Sequence, residues 1–145
     1  MSTQLEIQSV IRLEKIHFPI LNFKSSGLII HEDILDGANM NLSYDVLFAK
    51  EEDNDTFVVK FDLNLKANQE KESFEANVSM SALFSSDKSM GEDFRNSDFV
   101  QVNAPAIAFP YLRSFVTNIT TQAGYKPLIL PVINLTLMKK KEDDN

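Results

Sequence analysis

Apolar and polar residues alternate along three stretches of the chain. In residues 40–48 every second side chain is apolar, and the same period of two runs through residues 57–66 and 74–84. This period is typical of a β-strand with one buried and one wetted face. Polar breaks at residues 51–55 and 68–72 are typical of turns. The pattern therefore predicts an antiparallel meander of three strands.

A fourth strand is predicted near the start of the chain, because residues 5–18 alternate in the same way. The phase of this alternation slips between Leu13 and Ile16, which indicates a bulge or a bend. Residues 19–38 have no regular period, although residues 27–30 are a candidate short strand. We therefore expect four main strands.

The period changes to that of a helix after a polar stretch, residues 85–98, which predicts a loop. From Ala104 to Ile119, apolar side chains recur three and four positions apart, as on the wide apolar face of an α-helix. Asn103 is the predicted N-cap and Gly124 the predicted C-cap. An apolar helix that follows an amphipathic sheet is expected to cross the apolar face of that sheet.

A proline in the helix and two segments that follow it complete the predicted architecture. Pro110 removes a backbone donor inside the helix and is expected to kink the helix or to start it afresh. Residues 125–135 are apolar and extended by their prolines, so they must be buried or serve as a binding surface. Residues 139–145 are expected to be a charged, solvated tail. Residues 1–145 thus predict a single α+β domain, in which a four-stranded antiparallel sheet is followed by a long amphipathic helix.

Composition and charge exclude several classes of function. The chain carries 21 acidic and 14 basic residues, a formal charge of −7, whereas nucleic-acid binding needs a basic surface. The absence of cysteine removes disulfides and thiolate chemistry and suits a reducing compartment. The N-terminus lacks the features of a secretion signal, and no apolar stretch has the length of a membrane span. We expect a cytoplasmic protein that neither binds nucleic acid nor inserts into a membrane.

The residues of known catalytic and metal sites are missing from the sequence. The two histidines, His17 and His31, have no metal-ligand spacing. The acidic stretch formed by His31, Glu32, Asp33 and Asp36 is expected to be a solvated loop rather than a cation site. Four scattered glycines do not form a phosphate-binding loop. The sequence therefore predicts a protein that is not an enzyme and that has no metal and no cofactor.

The C-terminal third resembles a known family. Residues 109–113, Phe-Pro-Tyr-Leu-Arg, lie in the predicted helix and are followed by Gly124 and by residues 128–135, Leu-Ile-Leu-Pro-Val-Ile-Asn-Leu. They resemble the Phe-Pro-Tyr-Ala-Arg helix, the Gly-containing turn and the Leu-Ala-Pro-Val-Asn-Phe segment of the SecB family of export chaperones. Because the four strands come in the same order, the resemblance covers nearly the whole chain, and its specific part is residues 103–135.

The resemblance implies an ATP-independent holdase that binds unfolded polypeptide in apolar grooves. It also implies a homotetramer, a dimer of dimers, with the first strand and the long helix in the subunit contacts. Strand side chains have core packing as their alternative role, so the extended segment is the stronger groove candidate. The polypeptide-binding candidates are the inward aromatic and Met side chains and the extended segment: Tyr44, Phe48, Phe57, Phe61, Phe74, Met80, Phe84, Leu128, Leu130, Val132 and Leu135.

The sequence departs from the family pattern in two ways. The family ends in a second helix, whereas here the charged tail follows Leu137 closely, so that helix is predicted to be short or absent. Acidic positions that the family uses to dock the SecA motor fall at Lys15, Pro19 and Asn77 here. We therefore expect client binding with weak or no binding of SecA. The remaining docking candidates are acids of the polar sheet face: Asp45, Asp62 and Glu75.

Two alternatives to a general chaperone are compatible with parts of the pattern. An adaptor of the same fold would bind one dedicated partner, such as an antitoxin, and the sequence does not discriminate it from a holdase. An enzyme of the hot-dog type also wraps a sheet around an apolar helix. In that fold the helix precedes most strands, and here no carboxylate or histidine is placed at the start of the helix, which argues against an enzyme.

Overall fold

The described residues form one antiparallel sheet, two helices and an extended C-terminal segment. The structure is a computed structural model and describes residues 11–31, 33–49, 55–87 and 91–135. The predicted α+β architecture, a four-stranded antiparallel sheet followed by one long helix, is confirmed. The elements are β1 (Ile11–Ser25), β2 (Asn39–Phe48), β3 (Thr56–Gln69), β4 (Glu72–Ser86), α1 (Glu92–Arg95) and α2 (Ala104–Gln122).

The strands lie in the order β1-β4-β3-β2, and every neighbouring pair is antiparallel. The predicted meander of β2, β3 and β4 is confirmed. β1 is first in sequence but pairs with β4 rather than with β2, which gives the sheet a Greek-key connection. β1 and β2 are therefore the two edges of the described sheet.

β1 extends further along the chain than the sequence pattern predicted. The chain was expected to be irregular from residue 19, but the strand runs through Pro19 to Ser25, and the candidate strand at residues 27–30 is not formed. Pro19 is tolerated because it lies within a register shift between His17 and Ile20. The ladder is already interrupted there, and β1 is an edge strand, so the missing N–H of proline costs little.

A second register shift in β1 lies between Leu13 and Lys15, which confirms the bulge predicted there. Several other predictions fall outside the described residues. These are the strand before Ile11, the charged tail at residues 139–145, and the short or absent second helix. Within the described part of the chain, no helix has both the length and the apolar character needed to cross a membrane.

The N-terminal end of α2 differs from the prediction. Asn103 has helical backbone angles and its side chain makes no capping hydrogen bond, so the predicted N-cap is wrong. The chain enters α2 from a π-helical turn, Phe99–Asn103, and is therefore already helical where a cap was expected. The polar stretch before this turn was predicted to be a loop, but it contains α1.

The C-terminal end of α2 is capped as predicted. Gly124 has a φ of 94°, in the left-handed region that favours glycine. Its N–H donates to the carbonyl of Thr121 at 3.2 Å, and the N–H of Tyr125 donates to the carbonyl of Thr120 at 2.9 Å. This pair of bonds is a Schellman motif, which satisfies the last carbonyls of the helix and turns the chain back towards the sheet.

The apolar face of α2 packs across the inner face of the sheet, as predicted. Ala108, Leu112 and Val116 are fully buried, and the ring of Phe109 lies 5.9 Å from that of Phe61 on β3. Pro110 bends the helix without breaking it, because the helix is continuous from Ala104 to Gln122. The opposite, outer face of the sheet carries most of the polar side chains of the strands, together with Leu47, Val58 and Leu83, which are in register with one another.

The left-handed position of Gly124 generates a stability prediction. Gly124→Ala should lower the free energy of unfolding by about 1–2 kcal/mol, because an L side chain is strained at this φ. Gly91→Ala is the matched control, since Gly91 has an ordinary φ of −72° and a Cβ meets no atom within 4 Å at either site. That control should change stability by less than about 0.5 kcal/mol. Urea denaturation at one protein concentration measures both, and equal losses would contradict the assignment.

Candidate functional site

The C-terminal segment, residues 125–135, runs extended beside α2 and is held to it by hydrogen bonds. The Thr117 hydroxyl donates to the carbonyl of Leu128 at 2.8 Å, and the N–H of Leu128 donates to the Thr120 hydroxyl at 3.0 Å. Arg113 Nε donates to the carbonyl of Leu130 at 2.8 Å. The segment therefore has a fixed path although it belongs to no sheet.

Side chains of the segment divide into buried anchors and exposed apolar groups. Leu130 and Leu135 are 2% and 6% exposed, whereas Ile129 and Val132 are 65% and 83% exposed. Leu128 is half-buried. The segment thus closes part of the core and at the same time presents aliphatic surface to water, which is the arrangement expected of a binding surface.

A cavity of about 350 Å³ opens between the C-terminal segment and the strands β2 and β3. Its volume is at the small end of the range of ligand pockets, and an apolar lining favours aliphatic or aromatic groups over charged ones. We call this cavity the apolar cleft. Its lining residues come from β2, β3, α2 and the segment: Met40, Asn41, Leu42, Leu63, Phe109, Leu130, Pro131 and Ile133.

Tyr44 connects the cleft region to the start of α2. It is 5% exposed, and its hydroxyl has two acceptors within reach, the carbonyl of Gln101 at 3.2 Å and that of Leu135 at 3.4 Å. Gln101 lies in the π-helical turn before α2. One side chain of β2 therefore holds the entry of the helix and the end of the C-terminal segment close together.

The structure places six of the strand candidates in the core of the single chain. None of the six is more than 5% exposed, because each points inward and is covered by α2 or by neighbouring rings. Phe48 is half-buried beside Phe57, with ring centroids 5.8 Å apart. None of these side chains lines the apolar cleft, so their part in polypeptide binding stays a prediction. The six are Tyr44, Phe57, Phe61, Phe74, Met80 and Phe84.

The segment candidates are better placed for binding than those of the strands. Leu130 lines the cleft, Val132 is exposed beyond it, and Leu128 and Leu135 flank it along the chain. Met40, Leu42, Phe109 and other lining residues were not among the residues predicted from the sequence. Met40 faces inward at the start of β2, but it is 41% exposed and is therefore not covered by the core. The structure shows this exposure, whereas the alternating pattern of the sequence does not.

Asp45 and Asp62 lie on the outer face of the sheet, opposite the cleft. Asp45 is in register with Lys60 across β2 and β3, and Lys60 Nζ lies 3.6 Å from a carboxylate oxygen of Asp62. The Ser79 hydroxyl donates to the other oxygen of Asp62 at 2.5 Å. Each acid therefore has a cationic or hydrogen-bonding neighbour, which reduces the negative potential of this face.

Glu75 is the third docking candidate and is exposed on the same outer face. It is in register with Lys24 on β1 and with Lys66 on β3, so two cations flank it. Among the described residues, no group of three or more His, Asp or Glu side chains is placed to hold a metal ion. The outer face is thus a mixed-charge surface.

Comparison with known proteins identifies the family. The family described as Preprotein translocase subunit SecB matches residues 29–144. The protein-export protein SecB of Chromobacterium violaceum is 27% identical over 136 residues, which are 92% of this chain and 88% of that protein. That of Magnetococcus marinus is 29% identical over 92 residues, 62% of this chain and 57% of that protein. The match to the SecB of Anaplasma phagocytophilum, 42% identical, spans only 26% of that protein's length.

A solved structure shares the fold. It is the SecB-like chaperone of Mycobacterium tuberculosis in complex with a ChAD peptide from the HigA1 antitoxin, with a TM-score of 0.64 and 16% identity over 86% of this chain and 91% of that chain. The family match at residues 29–144 takes in β2, β3, β4, α2 and the C-terminal segment, including the cleft between them. On this match, the chain belongs to the SecB family.

Proposed function

We propose that this protein is an ATP-independent chaperone that holds unfolded or extended polypeptides in the cytoplasm. Membership of the SecB family supports a chaperone role. The observation that carries the proposal is the apolar cleft with the exposed Ile129 and Val132 beside it. Such a surface offers a flexible chain a place for apolar side chains. The proposal requires no metal, no cofactor and no enzyme activity.

The energetics of the cleft suit capture followed by release. Burial of one Leu- or Phe-sized side chain contributes about 1.5–3 kcal/mol, and ordering an unfolded chain offsets much of this gain. A cleft of about 350 Å³ accepts few such side chains, so a single site binds modestly and reversibly. Several sites in one oligomer raise the apparent affinity through effective concentration, and no nucleotide is needed for release.

The proposal includes assembly into a homotetramer. Ile107 and Tyr111 lie one helical turn apart on α2 and are 43% and 52% exposed, and Leu21 of β1 is 45% exposed. Apolar side chains on a helix surface and at a sheet edge are typical of contacts between copies. They support an assembly in which α2 and β1 meet their counterparts.

The proposal also includes weak binding of SecA. By its resemblance to the family, this chain has Lys15, Pro19 and Asn77 where the family has docking acids, and the outer-face acids described above lie beside lysines. Because charges at the rim of an interface mainly set association rate and specificity, their loss affects SecA more than it affects clients.

Polypeptide binding is tested at an exposed residue, where substitution does not disturb the core. Ile129→Ser should weaken binding of a fluorescently labelled unfolded peptide about threefold to tenfold, because aliphatic contact area is lost. Leu47→Ser is the matched control: Leu47 is 50% exposed, compared with 65% for Ile129, but it lies on the outer face. The affinities are measured by anisotropy titrations without nucleotide. Equal losses of affinity in the two variants, or no binding by the wild type, would contradict the proposal.

Selectivity separates a general holdase from an adaptor for one dedicated partner. A holdase should bind unrelated unfolded peptides with affinities within about tenfold of each other, because apolar contacts discriminate weakly. It should also suppress the aggregation of a reduced, unfolded model protein in light-scattering assays without ATP. Binding to one sequence only, or suppression that strictly needs ATP, would favour a different mechanism.

Assembly is tested by light scattering after size exclusion. The wild type should show about four times the chain mass of 16.4 kDa at micromolar concentration. Tyr111→Asp should shift this mass to dimer or monomer, because a charge is then buried in the contact. Leu47→Asp on the outer face should leave the mass unchanged. A wild-type monomer would rule out the assembly while leaving the peptide-binding test valid.

Binding of SecA is measured by calorimetry with the purified motor. At physiological salt we expect weak or undetectable binding, since screening removes most of what exposed charges contribute. Glu75→Gln and Asp45→Asn should leave peptide binding unchanged. If SecA binds tightly and with salt sensitivity, and either substitution abolishes that binding, the proposal of weak SecA binding is wrong and a role in general export is favoured.

A further inference from the structure

Three polar side chains on one face of α2 bind the main chain of the C-terminal segment. Arg113, Thr117 and Thr120 are spaced by four and by three residues, so they lie on the same side of the helix. We call them the α2 stripe. All three contact main-chain atoms of Leu128 or Leu130. These three side chains therefore bind the main chain of the segment and not its side chains.

The α2 stripe provides hydrogen-bond partners for the main chain of the segment, as a neighbouring strand does in a sheet. Both main-chain groups of Leu128 are satisfied, its N–H by Thr120 and its carbonyl by Thr117. The carbonyl of Leu130 follows two residues later, and in an extended chain alternate carbonyls point in the same direction. The prolines at 127 and 131 have no N–H to donate. Three side chains thus replace a ladder that this segment does not form.

We infer that Arg113, Thr117 and Thr120 are positioning residues of the apolar cleft. They fix the distance between the C-terminal segment and β2, and so set which side chains the cleft admits. This inference deepens the proposed chaperone function and rests on it.

The geometry of the cleft gives the reason. One wall is made by Leu130, Pro131 and Ile133, and the opposite wall includes Met40 and Leu42 of β2. The first wall has no secondary structure of its own, so it is only as well placed as its attachments. Burial of Leu130 holds the wall against the core, but apolar contacts are non-directional. The hydrogen bonds of the stripe are directional and fix the position of the wall along α2.

Thr117 and Thr121 provide a matched pair of variants. Both are threonines of α2. The Thr117 hydroxyl donates to the segment, with the carbonyl of Arg113 as a second acceptor at 3.1 Å. Among the described residues, the Thr121 hydroxyl donates only to the carbonyl of Thr117, at 2.7 Å. Replacement of either by valine removes a hydroxyl and nearly preserves the shape. The two variants therefore differ in whether the segment loses an anchor.

The first measurement is amide hydrogen exchange without peptide. Thr117→Val should raise the exchange rate of the Leu128 amide about threefold to tenfold, because the N–H of Leu128 donates to Thr120 and opens more often once the Thr117 anchor on the carbonyl of the same residue is lost. Amides of β3 and β4 should exchange as in the wild type. Thr121→Val should leave the segment unchanged. Unchanged exchange at Leu128 in Thr117→Val would overturn the inference.

The second measurement is the affinity for the labelled unfolded peptide. Thr117→Val should weaken binding by a similar factor, Thr121→Val should not, and Thr117→Ser should restore wild-type binding because serine keeps the hydroxyl. If Thr117→Ser fails to restore binding, packing of the methyl group rather than positioning by the hydroxyl accounts for the effect, and the inference fails. A wild type that binds no peptide contradicts the proposed function, whereas the exchange measurement still decides whether the stripe anchors the segment.

Discussion

Burial of the apolar face of α2 against the inner face of the sheet is the contact on which the other features depend. Leu112 and Val116 are fully buried under this face, and Phe109 meets Phe61 across it. Packing against each other removes much of the apolar surface of the sheet and of the helix from water within one chain. Once α2 lies across the strands, its end at Gly124 determines where the chain emerges and where the C-terminal segment must run.

The cleft follows from incomplete coverage of β2. This strand is an edge of the described sheet, and its inward-facing Met40 is 41% exposed. The C-terminal segment covers part of the remaining apolar surface through Leu130 but does not fill it. A structure that packed this corner fully would be more stable, and it would have no apolar site to offer. Leu130 is therefore both part of the core and part of the lining of the cleft.

The sequence predicted the strands well because one wetted face leaves a period of two in the chain. The prediction was wrong where contacts between distant parts of the chain override a local sequence rule. Pro19 suggested the end of a strand, yet a register shift on an edge strand accommodates it. Asn103 matched the usual N-cap residues, yet the chain arrives there already helical. Both errors come from neighbours that a local pattern does not contain.

The site was predictable in part for the same reason. The extended segment could be singled out, because an apolar run with prolines has to be covered or used. The residues that line the cleft opposite the segment could not be predicted. They are accessible because β1 pairs with β4 and leaves β2 at an edge of the sheet, and this pairing is known only from the folded topology. Aromatic strand residues such as Phe61 and Phe84 share one alternating pattern with Met40, and only the placement of α2 separates buried from accessible positions.

Prolines in the C-terminal segment have a consequence for the protein's own solubility. An exposed apolar strand edge is a template on which other chains, including further copies of the same protein, can add by main-chain pairing. Pro127 and Pro131 lack the donors that such growth requires, so a ladder started at Ile129 would lose its next donor two residues away on either side. The segment that we propose binds foreign chains is therefore a poor template for main-chain pairing with further copies of this protein.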